Sequence, residues 1–367
     1  MKHMLFQSMA VILLSAVGIT SSHACTDVRI TAQDGTILVA RSMEFGTDMQ
    51  AQLRTSTQGR EYQFKTSAGV DTAKWTAKFG YVYLDALGED VAVDGLNEKG
   101  LSIEGLYLPS ETQYQTLPAG SESKGVPYYA FGDWLLSQFQ TVEEVRAALA
   151  NVIVYEDKLA GFHGMVFPLH LAVHDATGKG LVVEFVKGEQ KIYDNQIGVM
   201  TNSPQYDWQL INLRNYVNLV ATNPTPIEQG GMAFTATGQG AGLMGLPGDF
   251  TPPSRFVKMA KLIQYADKSA TGKDALNLAQ HIMNNVDIPL GTVVGTEHGR
   301  TIKDYSQWVV FKDLTNKKFY YRTYDNLTIR GVSLSSLDLT KKGPRLKMTI
   351  AVPEFELDVT DSLKSAK

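Results

Sequence analysis

In 367 residues there is one cysteine, Cys25. One cysteine excludes an intrachain disulfide and a thiolate zinc site. A basic excess is missing too. Against 34 Lys+Arg stand 38 Asp+Glu, a formal net charge of −4, which leaves no electrostatic footprint for nucleic acid. With 44% apolar and 20% charged residues, disordered, collagen-like and low-complexity classes are out. No HExxH, Walker-type loop, EF-hand loop or GxSxG elbow occurs. Gly238-Gln239-Gly240-Ala241-Gly242 lacks the strand–turn–helix context of a dinucleotide site. Beyond the first 24 residues no apolar run approaches a membrane span, so the mature chain is expected to be soluble, without stable membrane insertion.

What is present begins at the N-terminus. Lys2 and His3 precede an almost wholly apolar stretch over 4–19, which ends in Thr20, Ser21 and Ser22-His23-Ala24. This is the pattern of a signal peptide, with small residues where the peptidase reads. Residues 1–24 are therefore expected to be removed, leaving 25–367 as a single domain. The cut takes away Lys2 and leaves a formal charge of −5. It also makes the lone cysteine the first residue. Two readings follow. In one, Cys25 carries a lipid and the protein is a lipid-anchored binding protein, although Ser22-His23-Ala24 matches that pathway poorly. In the other, Cys25 is an N-terminal nucleophile whose own α-amine, titrating near pH 8, is the base. Export would then also be activation.

Along the mature chain, Thr26–Thr31 and 37–43 alternate as strands around Gln33-Asp34-Gly35-Thr36, a hairpin signal that returns Arg41 and Glu44 to Cys25. Strands are predicted over 79–84 and 91–93, a turn over 97–100, and a strand over 101–107. Helical spacing takes over at 127–150, with Thr141 and Glu144 as a capping-box signal. Strands return at 168–175, 180–187 and 191–199. Helices are expected at 207–220, 254–267 and 274–284, and an irregular Gly-rich loop at 228–251. A last hairpin is expected over 308–312 and 317–324, with a charged peripheral tail from Lys341. Strands at both ends with helices between them suggest one α+β unit with antiparallel sheets.

His170 and His174 would suit a metal on a helix, but 168–174 alternates as a strand, which sets them roughly 13 Å apart. Amide cleavage by Cys25 needs oxyanion donors, a cation near the sulfur and a carboxylate near the amine. Arg41, Glu44, Asn97, Asn202 and Arg255 are candidates, and spacing alone does not choose among them.

Several motifs in order carry a resemblance. They are Cys25-Thr26, Ala40-Arg41-Ser42-Met43-Glu44, Asp94-Gly95-Leu96-Asn97-Glu98-Lys99-Gly100-Leu101 and Gly105-Leu106-Tyr107. Thr201-Asn202-Ser203-Pro204 with Asp207-Trp208 follows, then Gly245-Leu246-Pro247-Gly248-Asp249 with Ser254-Arg255-Phe256, and Tyr321-Arg322-Thr323-Tyr324-Asp325-Asn326. Over nearly all of 25–330 the chain resembles the choloylglycine hydrolase family, which includes penicillin V acylases and bile salt hydrolases.

The resemblance implies the four-layer αββα sandwich of N-terminal nucleophile hydrolases. It also implies cleavage of linear, non-peptide amides of small molecules without metal or organic cofactor. Cys25 would be nucleophile and base, Arg41 the cation near sulfur, and Asn202 the side-chain oxyanion donor. Arg255 would order the catalytic groups, and Tyr107 would supply a backbone N–H. Phe45 and Tyr107 would border the acyl pocket. Many bile salt hydrolases carry Asn where Tyr107 stands, and penicillin V acylases often carry Tyr, which leans toward the acylase side. The export signal looks like the Gram-negative branch. That implies a periplasmic enzyme, with N-acyl-homoserine lactones as a further substrate class and a homotetramer as the assembly. Glu44 departs from the commoner Asp by one methylene, which leaves an inactive scaffold as a third reading.

Overall fold

A computed structural model describes residues 24–162, 164–297, 299–351, 357 and 359–365. Apart from Ala24, the expected signal peptide lies outside the described residues.

Two antiparallel sheets stack face to face between helices. The first runs Val199–Met200, Cys25–Thr31, Ile37–Phe45, Arg300–Asp313, Lys318–Thr323, Asn326–Ser333, with Val293–Glu297 paired to Arg300–Asp313. The second runs Glu189–Asp194, Gly180–Val186, Leu169–His174, Ser102–Tyr107, Glu89–Asn97, Tyr81–Ala86, Gln52–Ser56, Lys347–Thr349. Helices Pro252–Tyr265 and Gly272–Met283 cover the first sheet, and Phe131–Gln138 covers the second. This is the expected four-layer αββα sandwich. Its sheets are buried on both faces, so central strands need not alternate in polarity: Ile37–Val39 and Leu181–Val183 are continuous apolar runs.

Local chemistry explains the elements that matter for the site. Asp34 Oδ1 accepts the Thr36 N–H at 2.9 Å and Gly35 sits at φ +85°, closing the first hairpin. Its register sets Cys25 opposite Met43 and Asp27 opposite Arg41. Thr141 caps Val142–Leu149 by accepting the Glu144 N–H at 3.2 Å. Pro252 and Pro253 open the helix that carries Arg255. Asp249 ties its start, taking Ser254 Oγ at 2.7 Å and Thr251 N–H at 2.9 Å.

The strand Glu89–Asn97 runs up to the expected turn at 97–100, which Gly100 N–H closes on the Asn97 carbonyl at 3.0 Å. Two expectations need correction. The hairpin at 308–324 is part of a meander, since Asn326–Ser333 adds a further strand. The tail beyond Lys341 is not wholly peripheral. Lys347–Thr349 pairs with Gln52–Ser56 and closes an edge of the second sheet, tied by Leu346 N–H to Thr55 Oγ1 at 2.7 Å. Within the Gly-rich 228–251 stretch lies a small exposed hairpin, Ile227–Gln229 with Met232–Phe234.

Between the sheets lies a buried charge cluster. Lys312 Nζ is 2.6 Å from both Asp94 Oδ1 and Glu104 Oε1. His174 Nε2 meets Asp27 Oδ2 at 2.9 Å, and Arg29 Nη1 meets His174 Nδ1 at 3.1 Å. Burial holds His174 down at about 3, so the ring is neutral. An arginine donating to Nδ1 leaves the proton on Nε2, directed at Asp27. Asp27, Glu104 and His174 are close enough to hold a metal ion. The Lys312 ammonium and Arg29 already supply the positive charge there, and the His174 tautomer points a proton at the carboxylate. The two histidines of 169–174 therefore have separate partners, as the strand reading requires, and both are buried.

Removing one member of a buried ion cluster leaves the others uncompensated. Lys312→Met should lower unfolding stability by about 3–5 kcal/mol in urea titrations. Adding Asp94→Asn to that variant should recover part of the loss. A change under about 1 kcal/mol would show that the cluster is not what joins the sheets.

Candidate active site

Period-two alternation on the first strands divides the site between the two faces of one sheet. Cys25, Met43, Arg41 and Trp308 share the face toward the second sheet, since Met43 pairs with Cys25 on one side and Trp308 on the other. Thr26, Ser42 and Glu44 share the opposite face, under the helix that carries Arg255.

On the inner face, Cys25 Sγ lies 3.5 Å from Arg41 Nη2 and 4.0 Å from Met43 Sδ. Arg41 is fully buried. Its Nη2 also donates to the Gly105 carbonyl at 2.6 Å, and its guanidinium lies over the Trp308 ring at 4.5 Å. Burial pushes the Cys25 thiol up from its ordinary range, and Arg41 pulls it back. The thiol is therefore neutral at rest and needs a base to become a nucleophile.

On the outer face, the groups handle the Cys25 backbone. The Cys25 N–H donates to Asn202 Oδ1 at 2.7 Å. Arg255 Nη2 donates to the same oxygen at 2.6 Å, and Nη1 donates to the Cys25 carbonyl and to Thr26 Oγ1. Two donors on Oδ1 fix which end of the Asn202 amide is oxygen. Nδ2 must then face the other way, and it donates to the Tyr107 carbonyl at 2.7 Å. Leu108 N–H bonds Pro168 across the Leu169–His174 strand at 2.7 Å, and Tyr107 pairs with Leu169 in the alternate position. The Tyr107 peptide therefore turns its edge toward Asn202. Asn202 is itself anchored from behind. His170 holds the Thr201 carbonyl at 2.9 Å, Thr201 Oγ1 donates to Pro252, and Ser203 Oγ donates to the Pro109 carbonyl at 2.7 Å.

Glu44 is fully buried. Its N–H donates to the Ala24 carbonyl at 3.0 Å, so it sits beside the Ala24–Cys25 bond. Its Oε1 accepts from Ser306 Oγ at 3.0 Å, and the Ser42 hydroxyl two residues earlier on the same face also favours the ionised carboxyl. Burial lifts the carboxyl to about 7 against the pull of Arg255.

Cys25 opens into a slim apolar cavity of about 60 Å³. Phe45 and Tyr107 meet edge to face at 5.9 Å on its wall, and Phe45 meets Phe167 at 6.4 Å. Met43 and Met49 add flexible thioether side chains.

All seven expected site residues thus converge: Cys25, Arg41, Glu44, Phe45, Tyr107, Asn202 and Arg255. Asn97 does not join them. Its side chain closes a turn, with Oδ1 taking the Lys99 and Leu101 N–H groups and Nδ2 donating to Leu136 and Phe139. Sequence reasoning missed Met43, Thr26, Ser306 and Trp308. Met43 and Thr26 were recoverable from alternation around Arg41 and Cys25. Ser306 and Trp308 arrive from a distant strand with no local signal.

The family model for linear amide C–N hydrolases, choloylglycine hydrolase family, matches residues 25–350. A bile salt hydrolase/transferase of Clostridium perfringens is 33% identical over 86% of this chain and 94% of its own. A penicillin V acylase of Pectobacterium atrosepticum is 27% identical over 82% of this chain and 81% of its own. Among solved structures, a conjugated bile acid hydrolase from Clostridium perfringens superposes with TM-score 0.81 at 29% identity, covering 92% of this chain and all of that one. Penicillin V acylase from Agrobacterium tumefaciens superposes with TM-score 0.73 at 26% identity, covering 90% and 94%.

The Arg41 contact has a direct readout. Arg41→Met should move the pH midpoint of Cys25 alkylation by iodoacetamide upward, because the nearby cation that favours the thiolate is lost. An unchanged midpoint would show that the guanidinium does not act on the sulfur.

Proposed function

Because the chain belongs to the choloylglycine hydrolase family of linear amide C–N hydrolases, we propose that it is a penicillin V acylase-like enzyme. It acts on N-acyl amides with a slender acyl group, phenoxymethylpenicillin and N-acyl-homoserine lactones among them, with Cys25 as nucleophile. The slim cavity at the Cys25 sulfur carries this reading. Pockets for drug-sized ligands measure about 300–1,000 Å³. A cavity of about 60 Å³ suits a linear chain as it stands, and a flat ring once Met43 or Met49 changes rotamer. Its aromatic wall suits a phenoxy ring. The second reading, bile salt hydrolysis, is favoured by the 33% identity to the Clostridium perfringens protein.

The chemistry follows from the contacts. Removal of residues 1–24 converts the Cys25 amide into an amine. That amine keeps Asn202 Oδ1 as one partner, with the Glu44 carboxyl on the same side of the sheet. It takes the Sγ proton as sulfur attacks the acyl carbonyl, forming the C–S bond. The Tyr107 N–H and Asn202 Nδ2, which carries two hydrogens, hold the oxyanion. The C–N bond then breaks, and the amine delivers the proton to the leaving nitrogen. Water, activated by the same amine, cleaves the thioester and releases the acid. Arg41 stabilises the sulfur's charge, and Arg255 keeps the Asn202 amide in its working orientation.

Processing belongs before folding, in this reading. Ala24 and Cys25 are each 2% exposed and both are bonded into the sheet, out of a peptidase's reach. Export to the periplasm, with the peptidase acting on the unfolded chain, meets that requirement. We also propose self-association into a homotetramer. The Ile227–Gln229 and Met232–Phe234 hairpin leaves Ile227, Met232 and Phe234 exposed, and Met244 beyond it is exposed as well, forming an apolar surface that a second copy would cover.

Protein purified from the periplasm should have the unmodified mass of residues 25–367 and should hydrolyse phenoxymethylpenicillin faster than taurine- or glycine-conjugated bile salts. Cys25→Ala should abolish turnover with the fold intact, and Asn202→Ala should lower kcat by about 10²–10³. A lipidated Cys25, or full activity in Cys25→Ala, would overturn the mechanism. Faster bile salt cleavage would move the enzyme to the second reading. Met232→Ser with Phe234→Ser should reduce the assembly on size-exclusion chromatography with light scattering. An unchanged mass would remove this hairpin from the interface.

A further inference from the structure

Arg300–Asp313 pairs with Ile37–Phe45 through a register break. Ser306 stands opposite Glu44 and Trp308 opposite Met43, so Gln307 is an extra residue without a partner across the ladder. This is a β-bulge, a feature that re-aims side chains and recurs beside active sites. Each of its three residues reaches a different part of the site. We propose that the Ser306–Gln307–Trp308 bulge is the positioning element of the active site: it sets the Glu44 carboxylate, the substrate-facing 45–49 loop and the Arg41 guanidinium at once. The proposal rests on the hydrolase reading above.

Ser306 is locked before it reaches Glu44. Its N–H donates to the Ile288 carbonyl at 3.1 Å, and its Oγ accepts the Ile288 N–H at 2.8 Å. The hydroxyl hydrogen is then left for Glu44 Oε1, 3.0 Å away. Gln307 uses its whole carboxamide on one loop. Oε1 accepts the Met49 N–H at 2.9 Å, and Nε2 donates to the carbonyls of Phe45 and Thr47 at 2.8 and 2.7 Å. That loop carries Phe45 and Met49 into the cavity. It also lies tight on the same strand, since a Cβ at Gly46 would fall 1.8 Å from Ile302 Cγ2. Trp308 supplies the ring over which Arg41 lies at 4.5 Å. In an unbroken ladder one residue would be missing from this set. The extra residue lets Ser306 share a face with Glu44 and Trp308 share a face with Met43, while Gln307 turns toward the loop.

The two arms separate in kinetics. Ser306 acts through Glu44, whose other charged neighbours are Cys25 on the first strand, Arg41 on its own strand and Arg255 on the covering helix. Asp304, two residues before Ser306, adds a weaker electrostatic pull on Arg255. Removing a hydroxyl that donates to a carboxylate disfavours its ionised form. Gln307 acts through the loop and so through substrate binding.

Steady-state hydrolysis of phenoxymethylpenicillin against pH tests both arms on the processed enzyme. Ser306→Ala should move the acid limb of kcat/KM upward by about one pH unit, and Ser306→Thr should return it. Gln307→Leu should raise KM about tenfold with kcat within about threefold. An unmoved acid limb together with an unchanged KM overturns the proposal. So does a pH-independent loss of kcat and of titratable sites in both variants, which is the mark of a purely structural role. The pH profile of Cys25 alkylation reads the Glu44 arm without turnover, as an inflection that Ser306→Ala should shift upward. Inactivity of wild type on every amide therefore counts against the hydrolase reading, while an unmoved inflection counts against the bulge.

Discussion

The site depends on one oxygen. Asn202 Oδ1 takes hydrogen bonds from the Cys25 nitrogen and from Arg255, and so joins the start of a strand to the end of a neighbouring one and to a helix. A carboxamide has one acceptor end and one donor end, and at ordinary contact distances either could point either way. The guanidinium settles the matter, because it only donates. With Oδ1 claimed, Nδ2 is forced toward the Tyr107 peptide and the sulfur's surroundings. Arg255 therefore sets where the Nδ2 donor points without touching it. A lysine there would keep the charge and lose the geometry, since Arg255 also holds the Cys25 and Phe250 carbonyls from one rigid plane.

Sheet alternation makes this division of labour possible. The thiol points between the sheets, where Arg41 and the apolar cavity lie. Its backbone nitrogen and carbonyl are served from the helix side by Asn202 and Arg255. Because both faces of this sheet are covered, nearly every group is dry, and charges there act over short distances with little screening. The same dryness raises the thiol and the Glu44 carboxyl, so the chemistry needs a base that burial does not already neutralise. In the proposed mechanism the α-amine that removal of residues 1–24 would free at Cys25 meets that need.

Much of this was legible in sequence where the signal was local. Asp34-Gly35 announced the hairpin that returns Arg41 and Glu44 to Cys25, and Thr141 with Glu144 announced a helix start. Asp249-to-Arg255 was recognisable as a motif, and its physical meaning is a helix opening tied by Asp249. Asn97 misled, because a buried carboxamide that satisfies four backbone groups is chemically indistinguishable, in sequence, from one that binds an oxyanion. The strand through Asp94 and Gly95 had no clear signal, because both are turn residues by propensity; here Asp94 pairs with Lys312, and Gly95 leaves room for Leu136. The bulge at Ser306–Trp308 had no sequence signal at all: register is a property of two strands, and one strand does not reveal it.

Glu44 is where the resemblance was weakest, and the structure bears on the inactive-scaffold reading. A longer carboxylate beside the amine has one more rotatable bond, and so more ways to be misplaced. A scaffold that had lost its chemistry would be free to leave that side chain untethered. Here the opposite holds. Ser306, held at both N–H and Oγ by Ile288, presents its hydrogen to Oε1, so the extra methylene is met by a donor from the adjacent strand. The Ser42 hydroxyl, on the same face of the same strand, also favours the ionised carboxyl. The longer side chain and the hydroxyls that hold it form one arrangement, which counts against a scaffold in which Glu44 is left loose.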